Sequence, residues 1–228
     1  MNIATRLNNI KDRINKSAIR SGRDPKNVRL VAVSKTVPAA LMKEAIDAGV
    51  DIFGENYIQE TRPKFNELAA YPISWHFIGH LQTNKAKYAV RLFDLIHSVD
   101  SLRLAREIDK QAKKVNKIQE ILVQINIGKE ASKSGADAET VSNLIKDVSC
   151  LENLSVKGLM IMPPFFNDPE KVRPYFFALR NLRDQIHQTL KRVDLHELSM
   201  GLSNDFEVAI EEGATFVRIG TAIFGERR

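Results

Sequence analysis

Cysteine is nearly missing from this chain of 228 residues, where Cys150 stands alone. A single thiol forms no internal disulfide, and no metal-type spacing surrounds it, so the composition points to a reducing compartment. Long apolar runs are missing as well, and with them any segment fit to span a bilayer as a helix. The start, MNIATRLNNIKDRI, alternates charge with apolar residues and lacks the continuous apolar stretch of a secretion signal, so the expected location is the cytoplasm. No Pro/Gly/Ser-rich linker or break in composition divides the chain, which reads as one domain over residues 1–228. Charge is plentiful but unclustered. The net +6 is spread along the sequence with no aromatic-interleaved basic run, which argues against a nucleic-acid reader and for solvated helix surface.

What the chain does have is alternation. Leu30–Val33 is an apolar run that fits a strand buried on both faces, and seven more candidates follow at 50–53, 73–78, 93–99, 121–127, 156–162, 195–200 and 215–219. Helical spacing separates them. Leu41, Ala45 and Ile46 form one apolar face after Pro38; Leu102, Ala105, Ile108 and Ala112 form another; Val172 to Leu190 steps by three or four throughout. Around Pro63 the expectation is a helix that is kinked or starts late. Alternating β and α units require parallel crossovers, and eight of them close into a (β/α)8 TIM barrel. Ile3, Leu7, Ile10 and Ile14 mark an additional N-terminal helix, expected to stop near Ser21 and Gly22. The rival is an open doubly wound sheet. It normally carries a glycine-rich loop after its first strand, and SKTVPA contains no glycine.

In a barrel of this kind chemistry gathers where the strands end. Lys35 stands there after the first strand. An ammonium at that position reaches water, pairs with an anion, or loses its proton and acts as an amine nucleophile. Ser199 and Ser203 in SMGLSND, and Gly220 and Thr221 in RIGTAIFG, offer hydroxyls and approachable backbone amides after strands seven and eight, where many barrels hold phosphate. Ordinary turn and cap chemistry explains either loop taken alone. Glu55 reads as a general base, a cap or an ion-pair partner. His76 and His80, four apart on a strand and its end, do not converge on a metal as they would on a helix. Lys133 lies on a polar loop expected to overhang the mouth, and His97, His187 and His196 default to structural roles.

VAVSKT, FGENYIQE, WHFIGHLQTNK, the SKSG loop, GLMIM, LSMGLSNDFEVAI and VRIGTAIFG occur in the order found in the pyridoxal 5′-phosphate homeostasis proteins, also called YggS or PROSC proteins, and from Leu30 to Glu226 the chain resembles that family. The resemblance implies a barrel like the N-terminal domain of alanine racemase, without the second, β-rich domain. It implies that Lys35 forms the internal aldimine with pyridoxal phosphate (PLP), and that Ser203, with Ser199, and the backbone of Gly220 and Thr221 hold the phosphate. It further implies that Arg218 faces the pyridine nitrogen, with Asn56 and His80 near the cofactor.

A guanidinium cannot protonate the pyridine nitrogen at neutral pH, so the ring would be a weaker electron sink than one paired with a carboxylate. The implied function is therefore a monomeric carrier that stores and delivers PLP without dependable turnover. The alternative is a small amino-acid racemase or another PLP-dependent enzyme. Apo PLP-dependent enzymes are the implied recipients, and a third reading has the basic surface docking on acidic partners such as these enzymes or RNA.

Overall fold

The computed structural model describes residues 2–128, 134–191 and 193–225. Eight parallel strands close into a barrel in sequence order: β1 (Arg29–Val33), β2 (Ile52–Glu55), β3 (Ser74–Phe77), β4 (Leu95–Val99), β5 (Gln119–Ile125), β6 (Leu154–Ile161), β7 (Glu197–Ser199) and β8 (Phe216–Ile219). Helices α2 (Ala39–Asp47), α3 (Ile58–Glu67), α4 (Ala86–Leu92), α5 (Leu102–Lys113), α6 (Val141–Val148), α7 (Arg173–Thr189), α8 (Phe206–Glu211) and α9 (Thr221–Phe224) each follow one strand. The expected (β/α)8 barrel is the observed one. Among the described residues no helix is long and apolar enough to cross a membrane.

The first helix, α1 (Ile3–Arg20), is the expected additional N-terminal helix. It packs on α8, α9 and α2. Because α9 is a single turn of four residues, α1 takes the outer-ring position that the helix after β8 is too short to fill. It thereby belongs to the barrel's outer layer. Ile3, Leu7, Ile10, Ile14 and Ala18, spaced by three and four, are buried along one side. The Asn2 side chain caps the start by accepting from Thr5 N at 2.9 Å, and Gly22, at φ +71°, lets the chain leave after Ser21. Arg13 and Arg20 reach Glu207 and Glu211 of α8, but such exposed pairs contribute about 0–1 kcal/mol, so apolar burial dominates this contact.

Helix α3 begins at Ile58 and carries Pro63 inside, so of the two alternatives expected it does not start late. Proline there forfeits one backbone bond, while Ile58 and Thr61 are buried and the Thr61 hydroxyl donates to Tyr57 O at 2.8 Å. Packing of the first turn outweighs the lost bond.

Inside the barrel, Val31, Ile52, Leu95, Leu122, Met160 and Phe216 form an apolar cluster contributed by six strands. Strand side chains alternate between faces, so Arg29 shares the inner face with Val31, His97 with Leu95, and Arg218 with Phe216. The barrel is thus lined by an apolar girdle and a set of buried polar groups. Their placement determines the chemistry of the mouth.

Candidate functional site

β1 ends at Val33, and Ser34 extends its ladder by donating N–H to Gly54 O at 3.0 Å. The chain then turns. Val37 N donates to Ser34 O at 2.9 Å, and Thr36 adopts φ +63°. Positive φ at the third of four turn residues is type II geometry, usual for glycine or asparagine; a β-branched residue there costs on the order of 1–3 kcal/mol. Lys35, half-buried, is the second residue of this strained turn.

The segment from Glu55 to Lys64 holds the turn in place. Lys64 Nζ donates to Ser34 O at 2.8 Å and to Glu55 Oε1 at 2.7 Å. Ser34 Oγ donates to the same carboxylate oxygen at 2.7 Å, and Thr36 N donates to Glu60 Oε2 at 3.2 Å. Glu55 is fully buried, and burial pushes its carboxyl up, against the opposing pull of Lys64 and the Ser34 hydroxyl.

β8 lies beside β1, with Ala32 in register with Ile219, so the two strand ends meet. Lys35, Gly220 and Thr221 line one pocket of about 520 Å³ at this junction. A Cβ on Gly220 would stand 3.2 Å from Val33 O and 3.3 Å from Val33 Cβ, crowding the strand end from which Lys35 departs. Thr221 opens α9, which leaves its amide and that of Ala222 without an intrahelical acceptor.

The loop from β7 to α8 is stitched to β8, Arg218 N donating to Gly201 O at 3.0 Å. Gly201 has φ +92°, and a Cβ there would come within 2.6 Å of Ala209 Cβ. Leu202 N donates to Asp205 Oδ1 at 2.6 Å, closing the turn that carries Ser203. Ser203 is half-buried, and its hydroxyl makes no hydrogen bond among the described residues.

Sequence reading paired Ser199 with Ser203, but the structure separates them. Ser199 ends β7 and is fully buried, its hydroxyl engaged by Arg218 Nη1 at 2.6 Å and His97 Nδ1 at 2.8 Å. His97 Nε2 in turn lies 3.0 Å from His76 Nδ1. Arginine only donates, so Ser199 Oγ accepts from it; with the Ser199 O–H donated to His97 Nδ1, His97 donates from Nε2 to His76 Nδ1. This polarity gives every atom of the chain a complementary partner. Arg218 Nη2 also donates to Ile161 O at 2.8 Å and lies 3.1 Å from Met162 Sδ. Burial pushes the guanidinium down to about 10, with the Asp205 carboxylate acting the other way. Nothing local in the sequence shows that His76 and His97 meet Ser199.

Asn56 and His80 sit on the neighbouring side of the mouth, where they line a pocket of about 440 Å³ with Tyr57 and Gly79. Asn56 Oδ1 is buried with no hydrogen-bond partner among the described residues. His80 is exposed, its Nδ1 3.0 Å from Ser134 Oγ. His76 points into the barrel instead, so the two imidazoles diverge. Among the described residues no three His, Cys, Asp or Glu side chains gather as metal ligands. Lys133 lies outside the described residues. A further recess of about 470 Å³ opens at the opposite pole, where Arg29 pairs with Glu197; it holds none of the strand-end residues.

The residues present fit a phosphorylated aldehyde: an amine-bearing turn and a glycine-floored loop with spare amides share a pocket, and a buried carbonyl oxygen with no donor among the described residues stands at the next strand end. Residues 6–228 match the family described as alanine racemase, N-terminal domain. A pyridoxal phosphate homeostasis protein of Aquifex aeolicus is 46% identical over 228 residues, covering 100% of both chains. The structure of PipY from Synechococcus elongatus with PLP bound superposes with a TM-score of 0.86 at 36% identity, covering 98% of this chain and 100% of PipY. An alanine racemase from Clostridium difficile shares the fold at TM-score 0.75 and 17% identity, over 99% of this chain and 57% of the racemase.

Proposed function

Because the chain belongs to the pyridoxal phosphate homeostasis proteins of the alanine racemase N-terminal domain family, we propose that it binds PLP at the barrel mouth and serves as a carrier that stores and releases it. The observation that carries this reading is the shared pocket of Lys35, Gly220 and Thr221. When bound, the cofactor supplies an aldehyde that condenses reversibly with a primary amine. Lys35 provides the amine, from a turn whose backbone is fixed. Gly220, Thr221 and the free hydroxyl of Ser203 hold the phosphate through backbone amides and an O–H donor. Arg218 would offer its donor edge to the ring nitrogen and, being held by Ser199 and Ile161 O, presents a cation that does not transfer a proton to the ring at neutral pH. Asn56 faces the cofactor from the second strand end, its unpartnered Oδ1 ready to accept a donor.

That arrangement suits retention over turnover. A ring whose nitrogen is not protonated is a weaker electron sink for carbanion chemistry, and a donor-only guanidinium restrains that chemistry. We place the protein in the cytoplasm as a monomer that hands PLP to apo PLP-dependent enzymes. The decisive experiment is spectroscopic. Mixed with PLP, the protein should develop a visible absorbance band that borohydride abolishes, and mass mapping should find the reduced adduct on Lys35; Lys35→Ala should lose both. A wild-type protein that stays colourless would end the reading, and exchange of an amino acid's α-proton at turnover rates would replace the carrier with a racemase.

A further inference from the structure

We propose that Glu55, Glu60 and Lys64 form a positioning clamp for Lys35, whose work is to hold the amine for condensation rather than to hold the cofactor; the inference rests on the PLP reading above. Thr36 is the starting point. A β-branched residue at φ +63° persists only where its surroundings over-determine it, and such strain collects at sites where geometry matters. Here one segment supplies the constraint on both sides of Lys35. The carbonyl before it, Ser34 O, accepts from Lys64 at 2.8 Å, and the amide after it, Thr36 N, donates to Glu60 at 3.2 Å. Glu60 and Lys64 are four apart, hence on one face of α3, and that face is turned to the end of β1. Glu55 anchors the arrangement by joining Lys64 to the Ser34 hydroxyl through a single oxygen.

The energetics of the pair are those of a device kept for geometry. Glu55 is fully buried and Lys64 nearly so, and removing such charges from water costs several kcal/mol per ion. A well-packed apolar pair generally stabilises a fold as well or better, so stability alone gives no reason for these charges. Glu55 Oε2 has no hydrogen-bond partner among the described residues, which adds to the cost. One carbonyl, one hydroxyl and one amide fixed around Lys35 supply the reason. In the condensation the lysine nitrogen gives up two hydrogens and the aldehyde its oxygen, which leave together as one water while a C=N bond forms. That step requires the amine to meet the carbonyl carbon along one approach, and displacement of about 1 Å in such a geometry costs on the order of 10²-fold in rate.

The test separates the amine from the rest of the site. Pyridoxine 5′-phosphate carries an alcohol in place of the aldehyde and binds without condensing. Glu55→Gln/Lys64→Met removes both charges together, so no lone ion is buried and the fold is retained. Glu60→Ala, at a half-buried position, breaks the amide contact to Thr36 and, by removing a charge that repels Glu55, leaves the Glu55–Lys64 pair in place. Both variants should bind pyridoxine 5′-phosphate with unchanged affinity, yet develop the visible band with PLP at least about tenfold more slowly, while Lys64→Arg recovers part of the rate. Band formation at the wild-type rate in both variants would overturn the clamp and leave the carrier reading intact. Equal loss of both ligands would also overturn it, by showing that the segment merely supports the site. If the wild-type protein binds pyridoxine 5′-phosphate but gives no reducible band with PLP, the carrier reading itself fails and the clamp goes with it.

Discussion

Arg218 is among the largest fully buried side chains of the described residues, and a charge in that position needs organised partners. The chain Arg218–Ser199–His97–His76 provides them. Each hydrogen bond in it turns an acceptor toward the guanidinium, so the dipoles reinforce one another in a medium that screens them little. The arrangement requires both imidazoles to be neutral. Burial, followed by the charge of Arg29, pushes His76 down to about 3; burial, His76, Arg218 and Arg29 hold His97 well below the ordinary range. In the unfolded chain both titrate near 6.5. Below that pH the unfolded state binds more protons, so the stability contributed by the neutral pair is complete above about pH 6.5 and drains away as pH falls toward 3. Each proton contributes a slope of at most about 1.4 kcal/mol per pH unit. His97→Gln, which keeps hydrogen-bonding capacity without a titratable ring, should therefore flatten the decline in Tm between pH 6.5 and 4 seen in thermal melts. A wild-type and a variant curve that fall in parallel would show that the pair is not the source.

At the scale of elements, the surprise is α1. Its amphipathic face was evident in the sequence, because apolar residues spaced by three and four need no tertiary information to be recognised. Its place was not evident, since nothing local says that a helix preceding the first strand will fill the gap left after the last one. If α1 is structural in this sense, truncating a buried side chain in it should act like any core deletion. Leu7→Ala should cost about 2–5 kcal/mol in urea unfolding, whereas Arg13→Ala, which breaks an exposed pair with Glu207, should cost under about 1 kcal/mol. Comparable losses would mean that the ion pairs, and not the apolar face, fasten the helix. The early start of α3 has a related cause. Pro63 is a strong local signal against helix, but Ile58 and Thr61 bury the first turn, and their packing exceeds the single bond that proline forfeits.

At the scale of the whole molecule, a carrier should be more stable loaded than empty. At a PLP concentration a hundredfold above Kd, linkage supplies about 2.7 kcal/mol, and for a domain of this size each kcal/mol raises Tm by roughly 2–4 °C. Differential scanning with increasing PLP should show a rise that keeps growing with concentration, and Lys35→Ala should retain only the part due to noncovalent contacts. A Tm indifferent to PLP would contradict binding at the mouth, whatever the colour of the solution.

The barrel and its strand-end residues were legible in the chain because both rest on local order. Strands and helices announce themselves by period, and Lys35, Gly220 and Thr221 follow directly on apolar runs. What only the closed fold decided was which strand ends become neighbours. Pairing β8 with β1 joins residues nearly two hundred positions apart, brings Lys35 to Gly220, and divides Ser199 from Ser203 by turning one into the barrel and leaving the other on a loop. Lys64 was invisible for the same reason. A surface-like lysine in a helix becomes the counter-charge of a buried carboxylate only when α3 is laid against the end of β1, and closure of the sheet, set by register and twist rather than by any local pattern, puts it there.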